Sequence, residues 1–211
     1  MNVGFYLVQG EHGDGYVMAD ALIRSVRRTM PGVAVTQLTD LESPAVYGVD
    51  HVLRQPSQPL ALLRTLHQSH VEGEWLFVDT DVVIRRDVRD VFQQSFDIAV
   101  VDRDWPHLPS LPSDYMQAMP WNIGVVFSRC PAFWRVVHEA LLVAPQTAQD
   151  FMGDQVVACS VLRQSDRWRR LELPGYLYNY PPAHPDDHGE DAAIVHYKGE
   201  RKAWLLRRIA A

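Results

Sequence analysis

The stretch Trp75-Leu76-Phe77-Val78-Asp79-Thr80-Asp81 decides how the rest of the chain is read. Four apolar residues run straight into two carboxylates spaced i and i+2. In an extended chain that spacing points both side chains to one side. Two like charges held together need a cation to offset their repulsion. A hard divalent ion with positions open to phosphate oxygens is the usual partner, and the carboxyl ends of parallel strands are where α/β folds bind nucleotides. The plainer reading is a polar turn behind a buried strand, and the apolar run in front weighs against it.

On either side of this stretch, strands and helices alternate. Residues 3–8 read as a buried strand ending at Gly10, followed by the turn-rich loop 10–15. Tyr16, Ala19, Ile23, Val26 and Met30 recur at helical spacing until Pro31-Gly32 stops them. Strands are expected at 33–38 and 49–53, with a helix from Pro59 to about residue 70 between the latter and the decisive stretch. Beyond Asp81 the reading gives strands at 82–84, 98–101, 123–127, 171–173 and 194–197. It gives helices at 131–143, at about 154–163 and over 201–211, a single helical turn at 88–92, and a Pro-punctuated loop over 102–120. Such alternation predicts βαβ units in an α/β fold with a mixed, mainly parallel central sheet. No composition break marks a linker, so residues 1–211 are expected to form one domain.

Composition narrows the function. Lys+Arg is 20 against Asp+Glu 26, a formal charge of −6, which is the wrong sign for a protein that coats nucleic acid. Residues 1–128 carry 9 basic and 16 acidic side chains, whereas 129–211 carry 11 and 10. A late, local basic excess suits one anionic ligand better than a nucleic-acid track. Cys130 and Cys159 fit no metal or redox spacing. There is no apolar run of spanning length and no basic leader at Met1, so the expected location is cytoplasmic. The tail Trp204-Leu205-Leu206-Arg207-Arg208-Ile209 offers a basic amphipathic face to an anionic membrane. A helix packed on the domain is the preferred reading.

Three further signals follow the carboxylate pair. Trp121-Asn122-Ile123-Gly124 places an amide at a strand mouth, and Gly153-Asp154-Gln155 opens a helix. For Asp154 an N-cap role would be explanation enough. Near the end, His196-Tyr197-Lys198-Gly199-Glu200-Arg201-Lys202-Ala203-Trp204 delivers a histidine from a strand, then a glycine, then bases. Histidine ligates transition metals, and a Gly-to-Lys turn holds diphosphate.

The series Asp79-Thr80-Asp81, Asn122-x-Gly124, Gly153-Asp154-Gln155 and His196-x-x-Gly199-x-x-Lys202-x-Trp204 resembles the retaining glycosyltransferases of the GT-A fold, the glycogenin and lipopolysaccharide-galactosyltransferase group (glycosyltransferase family eight). The resemblance covers most of the chain. It implies a GT-A, Rossmann-like nucleotide-diphospho-sugar transferase that moves glucose or galactose from a UDP-sugar with retention of configuration. The metal it implies is Mn²⁺, with Mg²⁺ as the alternative, on Asp79, Asp81 and His196; a nitrogen ligand suits the softer ion. By the same resemblance Asp79 also touches the ribose, Gly199 and Lys202 hold the diphosphate, and Tyr16 stacks on uracil. Asp102 and Asn122 would contact the donor sugar, Arg64 would reach the donor, and Asp154 and Gln155 would lie on the sugar's β-face as the catalytic pair. Some members carry a second Asp after that Gln, where this chain has Val156, which favours front-side attack over a covalent intermediate. The segments 102–121 and after Gly175 are short for the group, so the acceptor is unassigned: a glycan, a lipid-linked sugar, a protein or a modified base.

Two other readings stand beside this one. Asp79-x-Asp81 also resembles the nucleophile motif of haloacid-dehalogenase-type phosphatases. That motif normally sits on the first strand with a Lys before an acidic pair, whereas here Asp186-Asp187 precedes Lys198. The remaining reading is a nucleotide-sugar-binding protein without turnover.

Overall fold

Side-chain alternation divides the strands between two cores. In β4 (Trp75–Val78), Leu76 and Val78 face one core while Trp75 and Phe77 face the other, and all four are buried. The first strand, β1 (Asn2–Tyr6), does the same with Val3 and Phe5 against Tyr6. A strand covered on both faces is a continuous apolar run, which is why no polar alternation marks it in the sequence. The computed structural model describes residues 1–8, 10, 14–103, 105–108, 111–150 and 152–210. Glu11, His12 and Gly13 of the expected turn, Asp104, Pro109 and Ser110 of the expected loop, and Ala211 of the expected last helix lie outside the described residues.

The strands β2 (Ala34–Asp40), β3 (His51–Gln55), β6 (Ile98–Asp102), β7 (Trp121–Ser128) and β8 (Arg170–Leu173) complete a seven-stranded sheet in the order β3-β2-β1-β4-β7-β6-β8. Pairing is parallel except where β7 meets β4 and β6. One face is covered by α1 (Gly15–Thr29) through Leu22, Val26 and neighbours. The other is covered by α2 (Leu60–His70), by α4 (Pro131–Leu142) and by α5 (Gly153–Gln164). The chain lays β2 and β3 on one side of β1, then returns through α2 to lay β4 on the other. This reversal leaves a crevice at the carboxyl ends of β1 and β4, the place where open α/β sheets take ligands.

A separate two-stranded antiparallel ribbon pairs β5 (Val82–Ile84) with β9 (Ile194–His196), and sets His196 opposite Val82. The helix α7 (Lys202–Ala210) follows and buries Leu205 against Met18, Val195 and Tyr197. Its Arg208 donates to the carbonyls of Pro185 and Asp187 and to the Tyr197 hydroxyl. No helix among the described residues is long and apolar enough to cross a membrane.

Where the observed elements depart from expectation, the cause is local. The expected loop 102–120 contains a helix, α3 (Ser113–Ala118), with no buried residue and so no apolar stripe to announce it. Within the segment after β8, a four-residue helix α6 (Gly175–Tyr178) was likewise unexpected. The strand expected at 123–127 begins two residues earlier, because the register between β6 and β7 shifts at Val100/Val101 and admits Asn122 and Trp121 to the ladder. Such irregularities re-aim side chains beside functional sites.

One buried titratable group ties α2 to the sheet. His67 is 1% exposed, and its Nε2 hydrogen-bonds the Thr39 carbonyl at 2.9 Å. Burial pushes its pKa down to about 4. The unfolded chain binds this proton near 6.5, so folding loses stability as pH falls from there towards 4. His67 alone accounts for about 2 kcal/mol of lost stability between pH 8 and pH 5. Urea unfolding at both pH values is expected to show His67→Gln losing about that much less than the native chain. An equally steep loss in the variant would refute the assignment.

Candidate active site

Asp79 leaves the carboxyl end of β4 with its N–H donating to the Gly124 carbonyl at 2.9 Å. Because β7 runs antiparallel to β4, the start of β7 lies beside that end and brings Asn122 with it. From the other side the β5–β9 ribbon presents His196, and the Tyr197 N–H donates to the Asp81 carbonyl at 2.9 Å. One ligand atom from each of Asp79, Asp81 and His196 can be chosen so that all lie within 4.8 Å of one another. Asp81 and His196 are 4% and 2% exposed, while Asp79 opens to the cleft.

The donor set fits a divalent cation. His196 Nε2 lies 3.1 Å from Asp81 Oδ1 and 3.5 Å from Asp79 Oδ2. Its Nδ1 faces Asn179 Oδ1 at 2.8 Å. The Asn179 amide nitrogen donates to Asn122 Oδ1 at 3.0 Å, so Asn179 Oδ1 is an acceptor and Nδ1 of His196 carries the proton. Nε2 therefore faces the two carboxylates, where a shared cation would take its lone pair in place of a proton. Burial works against charge on Asp81, but the His196 ring and the Lys202 ammonium, 3.5 Å from Asp81 Oδ2, hold its carboxyl below the usual range.

Opposite the triad stands Arg64 of α2. It donates to Asp79 Oδ1 at 2.8 Å and reaches Asp154 Oδ2 at 3.3 Å, with its guanidinium 4.9 Å from the Tyr6 ring centroid. Burial opposes its charge, but Asp154 and Asp79 outweigh that and raise its pKa. Burial pushes Asp154 up, and Arg64 pulls it back in part. Asp154 does not cap α5, contrary to the N-cap reading. Met152 occupies the cap position at φ 66°, and no side chain caps the helix. The Gln155 carbonyl oxygen accepts from Asn122 Nδ2 and from the Ile123 N–H, each at 3.1 Å.

These groups border a cleft of about 250 Å³. Of the residues singled out in the sequence, Arg64, Asp79, Asp81, Asp154, Gln155, His196, Gly199 and Lys202 line it. Asn122 is held to it through Gln155. Tyr16 and Asp102 are not among its lining residues. The Tyr16 hydroxyl donates to the Pro44 carbonyl at 3.4 Å, in the segment after β2. Asp102 Oδ1 accepts from the Gly175 N–H at 2.7 Å and borders an adjacent groove with Arg103 and Trp105. Sequence reading missed Asn179, which is fully buried and fixes the His196 tautomer, and Tyr6 beneath Arg64. Neither stands in a pattern that distinguishes it from an ordinary core residue. Lys198, foreseen as a base in the turn, has its nitrogen enclosed, and burial together with Arg103 pushes its pKa well down.

No protein-family model matches the sequence, and no curated protein sequence matches it. Solved structures do. Glycosyltransferase GlyE of Streptococcus pneumoniae TIGR4 is 17% identical with a TM-score of 0.62, over 97% of this chain and 59% of that one. This chain therefore spans less than two thirds of GlyE. A glycosyltransferase involved in glycosylation of the major capsid of PBCV-1 is 14% identical with a TM-score of 0.59, over 100% of both chains. The galactosyltransferase LgtC, solved with donor and acceptor sugar analogues, is 13% identical with a TM-score of 0.61, over 100% of this chain and 94% of that one. At these identities the likeness is one of architecture, and the chain has the GT-A fold of these glycosyltransferases.

Proposed function

We propose that the protein is a metal-dependent glycosyltransferase that takes a hexose from a UDP-sugar with retention, and that residues 1–211 act as one catalytic domain. The observation that carries this is the convergence of Asp79, Asp81 and His196 at the crevice of a sheet shared with glycosyltransferases. A divalent ion on that triad, Mn²⁺ by its mixed oxygen and nitrogen ligands, supplies positive charge at the diphosphate as the leaving group departs.

The chain's own residues divide the remaining work. Lys202 sits beside Asp81 at the cleft, where it adds positive charge to the departing nucleotide. Gly199, at φ 60° with open space where a side chain would be, lets a phosphate oxygen approach the backbone. Arg64, fixed between Asp79 and Asp154, orients the donor. The sugar-facing wall supports front-side attack. Asp154 is engaged by Arg64, and Gln155 is a carboxamide held by Asn122 and Ile123. A phosphatase reading would need Asp79 as the nucleophile, yet its Oδ1 is ion-paired with Arg64.

Gly124 supports the same reading. A Cβ there would lie 2.4 Å from Asp79 Oδ2 and 2.6 Å from His196 Cε1, so the triad closes only around a residue without a side chain.

UDP release, measured over a UDP-sugar panel with and without Mn²⁺, is expected to depend on the metal and to fall about a thousandfold in Asp81→Ala. Metal-independent release, or an Asp81→Ala variant as active as the native chain, would sink the proposal. Binding of UDP without any turnover or donor hydrolysis would favour a non-catalytic binder. Phosphate release from simple monoesters that is lost in Asp79→Asn would favour the phosphatase. Gly124→Ala is expected to weaken Mn²⁺ binding at least tenfold while the far-ultraviolet circular dichroism stays native. Undiminished Mn²⁺ affinity would show that the triad is not the metal site.

A further inference from the structure

Two basic side chains beside the cleft, Arg103 and Lys198, form no ion pair among the described residues. Arg103, immediately after β6, is 7% exposed. Its Nε donates to the Trp121 carbonyl at 3.4 Å, and its Nη2 has no hydrogen-bond partner. Lys198 lines the cleft, and its enclosed Nζ has no hydrogen-bond partner either. Both pack on Trp105: the ammonium lies 4.1 Å from the ring centroid and the guanidinium carbon 5.9 Å. The buried Trp105 Nε1 also lacks an acceptor. The other cations of the cleft are engaged, Arg64 by Asp79 and Asp154 and Lys202 by Asp81.

Three unfilled donors around one indole are costly to bury. An oxyanion with several acceptor oxygens completes such a set. The diphosphate already has Lys202 and the carboxylate–histidine triad on its side of the cleft. Arg103 and Trp105 instead line a second groove, of about 510 Å³, together with Asp102 and Glu172, and Lys198 of the cleft packs on its Trp105. Tyr115, whose ring centroid lies 5.0 Å from the Arg103 guanidinium, lines the cleft. Indole and phenol faces pack well against a sugar ring.

The geometry points to an anion subsite on Lys198, Arg103 and Trp105 that takes the carboxylate or phosphate of an acidic acceptor sugar. This rests on the glycosyltransferase reading for the word acceptor, and the test separates the two. UDP with Mn²⁺ is titrated first by calorimetry, and absence of binding there counts against the glycosyltransferase reading alone. Glucuronate, glucose 6-phosphate and glucose are then titrated into the full chain, with UDP and Mn²⁺ saturating where they bind and without them otherwise. At least one acidic probe is expected to bind tenfold or more tightly than glucose, and whichever does so tells carboxylate from phosphate. That preference is expected to collapse in Lys198→Met and in Arg103→Met and to survive in Lys198→Arg. Removing a buried amine that has no hydrogen-bond partner is also expected to raise the melting temperature of Lys198→Met, whereas a purely structural Lys198 would lower it. Failure of both acids to bind, equal binding of glucose, a preference that outlasts both methionine variants, or competition between probe and UDP would overturn the subsite.

Discussion

Asp79 and Asp81 share one strand end, Asp154 stands behind them, and the site is built to manage that charge. Two unit charges 4 Å apart at an effective dielectric constant of 20 repel by about 4 kcal/mol. The fold answers with cations from separate elements: Arg64 from α2 serves Asp79 and Asp154 together, and Lys202 from α7 serves Asp81. Three carboxylates against these two permanent charges leave the centre one positive charge short. A divalent ion on the triad would turn that shortfall into a single excess. The topology serves this balance, since the return of the chain through α2 and the late β5–β9 ribbon carry the compensating groups to the carboxyl end of β4.

A one-way series of hydrogen bonds fixes the geometry around the charge. His196 Nδ1 donates to Asn179, Asn179 to Asn122, Asn122 to Gln155, and Gln155 Nε2 to the Met119 sulfur. Each amide spends its nitrogen forward and its oxygen backward, so turning any one of them over would place like groups face to face. The direction in which His196 Nε2 points is thereby set by Gln155 of α5, which itself lines the cleft. Buried polar networks of this kind are stable when every member is satisfied, and they specify one arrangement. The Gly124 N–H donates to Asn122 Oδ1 as well, which anchors the middle of the series to the irregular start of β7.

How much of this was legible follows from what each residue does locally. The strand 75–78 and its two carboxylates were readable because burial on both faces forces an apolar run and the charges end it abruptly. His196, Gly199 and Lys202 were readable as a spaced set. Asn122 was seen, but the shifted register that turns it towards Gln155 leaves no mark in the sequence. Asn179 was invisible, since a single amide in a Tyr-rich segment has no period and no motif. The helix α3 escaped because none of its residues is buried. Tyr16 was singled out by resemblance, and the contact of its hydroxyl with the segment after β2 is a tertiary one that spacing does not encode.

Asp154 shows how a local rule yields to the site. An aspartate at a helix start is ordinarily a cap, and the sequence offered nothing against that. Here the cap position belongs to Met152, whose left-handed backbone is unfavourable for a residue with a side chain and costs on the order of 1–3 kcal/mol. Its neighbour Gly153 packs so close to the Ala148 carbonyl that a Cβ would sit 1.5 Å from the oxygen. These two constraints start α5 abruptly, one residue ahead of Asp154. The carboxylate then points at Arg64 instead of its own backbone, and Gln155 meets Asn122. The cost of Met152 is offset by the ion pair and hydrogen bonds it makes possible, so the strained residue, itself lining the cleft, belongs to the site.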